Sequence, residues 1–336
     1  MINRQFTLAA YAEGVPTERN FTLVEAPLAD PGPGQLLVQA HYFSMDPFPR
    51  LRISGDASVA PQLPLGSVMI GRGVGQVVAS QHPDFPVGCH VAGELGWQEY
   101  ALSDGNGLRL VDPALAPLPA YLGLLGPSGL AAYFATLRQG QPKAGETVVV
   151  SAAAGSVGST ACQIAAIAGA RVVGIAGGAN QLAFLQSLGA TPVDYSDAKN
   201  LPQALGAASP QGIDVFVDMV GGSVHDAVME HLNVGARIVL VGTIANYNLG
   251  PGEVDTGPRH LYRWILKRVR LSGFLVGDYA AEWPAALAEL ASWLRDGRLR
   301  YRETIFDGFE SAPQAFASLF GGDNVGKMLV KLLRET

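Results

Sequence analysis

Cysteine is nearly missing from this chain: Cys89 and Cys162 are the only two in 336 residues. That excludes a disulfide framework and any four-cysteine zinc site, and it suits a reducing compartment, so the expected location is the cytoplasm. Cys89 is followed by His90. Neighbours on a strand point to opposite faces, however, so the two are badly placed as nucleophile and base. Charge is scarce too, at 15% of residues, and the net charge of −6 argues against a nucleic-acid partner. No apolar run reaches the roughly 18 residues that a membrane span needs. The opening MINRQFTLAAYAEG lacks the apolar stretch of a signal peptide.

What the chain has in quantity is apolar residues, 48% of the total, the balance of a well-buried globular enzyme large enough for two domains. Residues 1–120 read as an all-β module. FTLVEAPL, GQLLVQAHYFS, GRGVGQVVAS and CHVAGELGWQEYALS look like strands separated by glycine and proline joints. Across 121–300, apolar runs near 147–152, 170–176, 191–195, 213–219, 236–242 and 270–276 alternate with helical patterns. Such alternation predicts an α/β fold with a parallel sheet covered on both faces. Residues 301–336 revert to short elements: YRETIFDGFE, a helix near 312–320 and the strand GKMLVKLL, a segment expected to return to the first module. In RWILKRVR, Arg263 and Lys267 share a helical face and read as a solvated edge, with a contribution to binding an anionic cofactor or substrate as the alternative.

One stretch carries chemistry. TVVVSA is followed by Ala153-Ala154-Gly155-Ser156-Val157-Gly158 and then a helix with Ala161, Ile164, Ala165 and Ala168 on one apolar face. This is a dinucleotide-binding turn in which Ala153 replaces the first glycine. Gly155 lets the backbone approach a pyrophosphate, Gly158 lets helix and strand pack closely, and the helix presents its positive end. NAD sites place an acid about 20 residues on, at the end of the next strand. From Arg171 to Gln181 there is none, only Gly177-Gly178 and neutral groups, which favours NADPH.

With this turn on the page, the chain resembles the medium-chain dehydrogenase/reductases. SMDPFPR (44–50), GPSGLAAYFATL, DMVGG, VGTIANYN, LSGFLV and GGDNVGKMLVKL narrow the resemblance to the zinc-free NADPH-dependent alkenal/one reductases. It implies a Rossmann-type doubly wound domain joined to a β-rich GroES-like domain, and hydride reduction of the C=C bond of small enals and enones. No metal is expected, because Gly71-Arg72 stands where zinc-dependent relatives carry His-Glu. The implied cofactor shell is Gly155, Ser156, Val157 and Gly158 at the pyrophosphate, and Gly178, Gln181 and Tyr195 at the adenosine 2′-phosphate. Val241, Gly242, Thr243, Tyr247, Phe274, Leu275 and Val276 would border the nicotinamide, with Asn324 reaching in from the C-terminal return. Two departures stand out: Gln181 replaces the usual lysine, and Met219 replaces asparagine.

Tyr247 is the candidate catalytic residue, since a neutral phenol can donate to the oxygen on which enolate charge develops. The cofactor's ribose hydroxyl is the competing donor, which would leave Tyr247 to position substrate. Phe48 and Arg50 would border the substrate entrance, Asp46 would cap the turn that Pro47 begins, and Tyr133 and Phe134 would be core beneath the cleft. A quinone reductase of the same superfamily and a non-catalytic, NADPH-binding redox sensor remain as alternatives. The resemblance also implies a homodimer, with RIVLVG and RLSGFL near one sheet edge.

Overall fold

The structure, a computed structural model, describes residues 2–250, 252–259 and 261–332. The last four residues of the expected 301–336 segment therefore lie outside the described residues.

The chain opens with β1 (Ile2–Leu8) and β2 (Phe21–Pro27), an antiparallel pair. The strand β1 was not expected from the sequence, yet its Phe6 and Leu8 are buried in the β-rich core. Next come β3 (Leu36–Ser44), the short helix α1 (Pro49–Arg52), β4 (Arg72–Ser80), β5 (His90–Glu94), β6 (Tyr100–Ser103) and β7 (Arg109–Val111). The run 89–103, expected as one strand, is thus two. Gly96 takes φ 71°, a left-handed turn open mainly to glycine, and it drives Leu95 and Trp97 into the core on either side. The Trp97 indole lies over Gly71, where a Cβ would meet it at 2.7 Å.

After α2 (Pro127–Tyr133), the chain alternates strand and helix: β8 (Thr147–Val150), α3 (Ser156–Ile167), β9 (Arg171–Ala176), α4 (Ala179–Ser187), β10 (Thr191–Asp194), α5 (Leu201–Ala208), β11 (Ile213–Asp218), α6 (Gly222–Met229), β12 (Leu232–Leu240), α7 (Leu261–Lys267), β13 (Arg270–Gly273) and α8 (Trp283–Arg295). The six strands form one parallel sheet in the order β10-β9-β8-β11-β12-β13. Parallel strands covered on both faces must be apolar throughout, and Val148, Val149 and Val150 are each fully buried. The strand order reverses between β8 and β11, and ligands of open α/β sheets bind beside such switch points, at the carboxyl ends of the strands.

The chain then returns to its first sheet. β14 (Glu303–Asp307) and, after α9 (Ala312–Ser318), β15 (Lys327–Lys331) extend it to the order β14-β15-β3-β4-β5-β7, with β6 paired to β3. β15 lies antiparallel to β3, Leu329 opposite Ser44. A bridge between Gly155 and Gly326 joins the two sheet systems.

One expectation is corrected on α7. It is exposed, but most of what it exposes beside Arg263 is apolar: Leu261, Tyr262, Ile265 and Leu266 are all more than half accessible. Lys267 turns inward and donates to the Leu232 carbonyl, so it does not form a solvated edge with Arg263.

Candidate active site

The dinucleotide turn is built by small residues. Ala152 takes the left-handed conformation (φ 44°), and the Ala153 N–H donates to Ile175 O at 2.9 Å. The Ala153 methyl is accommodated by Gly174 on β9, where an added Cβ would lie 3.0 Å from it. A Cβ on Gly158 would fall 2.3 Å from Ala152 O, so only glycine lets α3 approach the turn this closely. At Gly155 the nearest atom would be 3.2 Å away; its smallness keeps the cavity side open. No side chain caps α3, which leaves its first N–H groups available to an anion. A pyrophosphate fits this cradle.

The turn opens on a cavity of about 550 Å³ between the two sheet systems. Of the expected cofactor and substrate residues, it is lined by Gly155, Ser156, Val157, Gly158, Gln181, Tyr195, Val241, Gly242, Tyr247, Asn324 and Phe48. Met219 lines it as well. Gly178, Thr243, Arg50, Phe274, Leu275 and Val276 do not. Phe274 is instead stacked on Tyr279, which itself stacks on the buried Phe134. Tyr133 and Phe134 belong to the core, as read from the sequence.

Gln181 is used differently from the expected phosphate contact. Its amide donates to Gly322 O and Asn324 O, each at 2.7 Å, and its carbonyl accepts from the Gly177 N–H at 3.0 Å. Both amide hydrogens are thus spent on main chain. Gln181 fastens the C-terminal return to the nucleotide half. Tyr195 lies over Gly177, where a Cβ would meet its ring at 2.9 Å.

The structure brings in an acid that the sequence search missed. Asp194, at the end of β10, accepts from Ser196 N and Oγ at 2.9 and 2.6 Å. Those bonds, with one from the Gly178 N–H, hold its carboxyl below the usual range. The search ran along β9 only; Asp194 arrives from the next strand.

Asp46 was expected to cap a turn, but it forms an ion pair with Lys327, and both line the cavity. Lys327 is buried. Burial alone would raise the Asp46 carboxyl, but the ammonium and the Ser44 hydroxyl outweigh it and hold the carboxyl low. Its sequence signal is the lysine of GGDNVGK, the same segment that supplies Asn324.

Tyr247 sits just beyond a single helical turn, Ile244–Asn246. That turn is anchored by Ile244 N–H to Met219 O (3.2 Å) and Ala245 N–H to Val220 O (3.0 Å). Burial lifts the Tyr247 phenol above its usual range, and a bond from the Thr243 N–H only partly opposes this. The oxygen therefore accepts from the backbone and keeps its own proton. Behind these turns, the buried Asp218 accepts from Ser151 Oγ (2.7 Å) and from the N–H groups of Val220 and Gly221 (2.9 and 3.1 Å), and it meets His225 Nδ1 at 2.8 Å. Its place is structural, holding the DMVGG turn in shape.

Among the described residues, no group of three or more His, Cys, Asp or Glu side chains is placed to hold a metal ion. No helix among them is long and apolar enough to cross a membrane.

A phosphate cradle at the switch point of a parallel sheet, facing a β-rich lobe across a cleft, defines a dinucleotide-dependent oxidoreductase. The N-terminal domain of oxidoreductases matches residues 4–111, and the zinc-binding dehydrogenase family matches residues 156–292. The NADPH-dependent curcumin reductase of Escherichia coli (strain K12) is 41% identical over 336 residues, covering 98% of this chain and 97% of that one. Prostaglandin reductase 1 of Rattus norvegicus is 39% identical, with 98% of both chains covered. The crystal structure of CurA from Vibrio vulnificus in complex with NADPH superposes with a TM-score of 0.93 at 38% identity, over 99% of this chain and 100% of that one. The chain belongs to the medium-chain dehydrogenase/reductases, in the branch of the NADPH-dependent curcumin and prostaglandin reductases.

Proposed function

We propose that this protein reduces the C=C bond of α,β-unsaturated aldehydes and ketones with NADPH, without zinc, in the cleft between its two halves. One observation carries the reading: the uncapped start of α3 opens into the same cavity as the half-buried Tyr247, a neutral hydrogen-bond donor. When bound, NADPH supplies a hydride to the carbon β to the carbonyl. The first N–H groups of α3, with Gly155 to Gly158, hold the pyrophosphate. Tyr195 would border the adenosine end. Val241 and Gly242 would border the nicotinamide end, and Asn324 would close over the cofactor.

The apolar wall of Val241, Ile244 and Met45 suits the hydrocarbon part of an enone. Tyr247 donates a hydrogen bond to the carbonyl oxygen as negative charge gathers there, which stabilises the enolate until a proton from solvent reaches the α carbon and completes the reduction. Phe48, 56% exposed, guards the entrance.

We assign residues 1–120 and 301–336 to the substrate domain and 121–300 to the cofactor domain, and place the protein in the cytoplasm. A homodimer is supported by β13, which ends the parallel sheet as an open edge beside the apolar face of α7. Leu271 and Leu275 extend that face.

The test is initial-rate kinetics with a simple enone, titrating NADPH and NADH separately, on wild type and Tyr247→Phe. The expected result is turnover with NADPH, and about a hundredfold lower kcat/KM for the variant with unchanged NADPH affinity. Turnover of quinones but not of enones would transfer the site to quinone reduction.

A further inference from the structure

Arg50 lies in α1 with 1% of its surface exposed. Its Nε donates to Gly14 O at 3.1 Å and to Asn248 Oδ1 at 3.0 Å. Its Nη1 is buried and bonds to nothing among the described residues. Among the described residues no carboxylate pairs with it, and burial sets the direction of its pKa, which is down. Such a cation is expensive: a methionine of similar volume would fill the space without the desolvation cost. A fold under selection for stability alone gains nothing from it.

Its two partners show what it joins. Gly14 belongs to a loop that is itself fixed, by Asn20 Nδ2 to the carbonyls of Ala10 and Tyr11 (3.2 and 3.1 Å) and by Ala12 N–H to Ile53 O (2.8 Å). Asn248 belongs to the other half of the molecule and directly follows Tyr247. The loop after β12 is tied to its own sheet as far as Ala245. Beyond that, the bond from Arg50 links Tyr247's immediate neighbour to the β-rich half. Arg50 does not line the cavity, whereas Tyr247 and Asn248 do.

We propose that Arg50 is a positioning residue: through Asn248 it sets where the Tyr247 hydroxyl stands relative to the substrate lobe. The guanidinium is the latch between the halves at the substrate end, and substrate meets Tyr247, not Arg50. This inference rests on the enone-reductase reading above.

The experiment is a double-mutant cycle with Arg50→Met, Asn248→Ala and Tyr247→Phe, measured as kcat and enone KM with NADPH, with NADPH affinity by fluorescence and thermal melting as checks on folding. We expect Arg50→Met and Asn248→Ala each to lower kcat about tenfold with little change in KM, and the pair to be no worse than either alone. In the Tyr247→Phe background both effects should disappear, and Arg50→Lys should restore part of the loss. If Arg50→Met does not fold, Asn248→Ala carries the test, and a folded Asn248→Ala with wild-type kcat overturns the proposal. So do losses that multiply, a loss confined to KM, or an Arg50→Met defect that persists without the tyrosine hydroxyl. Those outcomes leave the enone-reductase reading standing. A Tyr247→Phe enzyme with wild-type turnover overturns this proposal and the role given to Tyr247, whereas a wild-type enzyme that turns over no enone with NADPH overturns the enone-reductase reading.

Discussion

Gly155 of the nucleotide turn and Gly326 at the head of β15 face each other as a parallel bridge, and the Gly326 N–H donates to Ala154 O at 2.7 Å. The cofactor cradle is thereby fastened to the lobe across the cleft. Gly326 has φ 72°, and a Cβ there would fall 1.9 Å from Arg302 O. Gly326→Ala should destabilise the fold by about 3 kcal/mol or more, since strain and overlap act together. Urea denaturation measures it; a loss under about 1 kcal/mol would show that the bridge yields easily.

Gly155 and Gly158 should respond differently to alanine. Gly158→Ala forces α3 off the turn and should cost several kcal/mol, on the order of other overpacked sites. Gly155→Ala meets its nearest atom at 3.2 Å, so it should fold with a near-normal melting temperature while binding NADPH about tenfold more weakly. Calorimetry of both variants, with and without cofactor, separates the two effects.

The Lys327–Asp46 pair predicts an asymmetry. Lys327 is buried, whereas the Asp46 side chain is 32% accessible. Asp46→Asn strands an ammonium without a counter-charge and should cost about 3 kcal/mol; Lys327→Met leaves a carboxylate that water can reach and should cost roughly half that. Equal losses in chemical denaturation would contradict this ordering.

Asp194 places a negative charge beside Gly178, near the expected 2′-phosphate. Asp194→Asn should raise kcat/KM for NADPH about fivefold, worth about 1 kcal/mol of relieved repulsion in a partly screened setting. Rates with NADH should stay level. An equal gain with both cofactors would mean the carboxylate does not sense the phosphate.

Glu303 carries a pH signature. Burial pushes its carboxyl up to about 7, and its Oε1 has no hydrogen-bond partner among the described residues. The folded chain therefore holds a proton that the unfolded chain releases between about pH 4.5 and about 7. Stability falls as pH rises through that window. Glu303→Gln should flatten the decline in melting temperature between about pH 5 and about pH 8, and an unchanged slope would remove Glu303 as its source.

The parallel sheet was legible because buried strands and amphipathic helices differ in period; all six runs from 147 to 276 became strands. The first module was harder. Leu95 and Trp97 kept the apolar texture of a strand across a glycine that turns the chain, so 89–103 read as one element. In the site, the glycine turn showed itself through backbone requirements that only small residues meet. Long-range pairings did not: nothing local marks Asp46 as the partner of Lys327, Gln181 as the fastener of Gly322 and Asn324, or Asp194 as the neighbour of Gly178. These depend on which segments the topology brings together.

The position of β15 between β14 and β3 has a consequence for how the molecule is made. β3 leaves the ribosome early, but one of its neighbours is encoded after the entire cofactor half. The continuous parallel-sheet unit can close as it emerges, while the lobe that precedes it waits, two strands short. The N-terminal lobe is therefore finished last, and it is finished by the strand whose leading glycine also bonds the cradle. Completion of that lobe and assembly of the cleft are a single late event in the biogenesis of the enzyme.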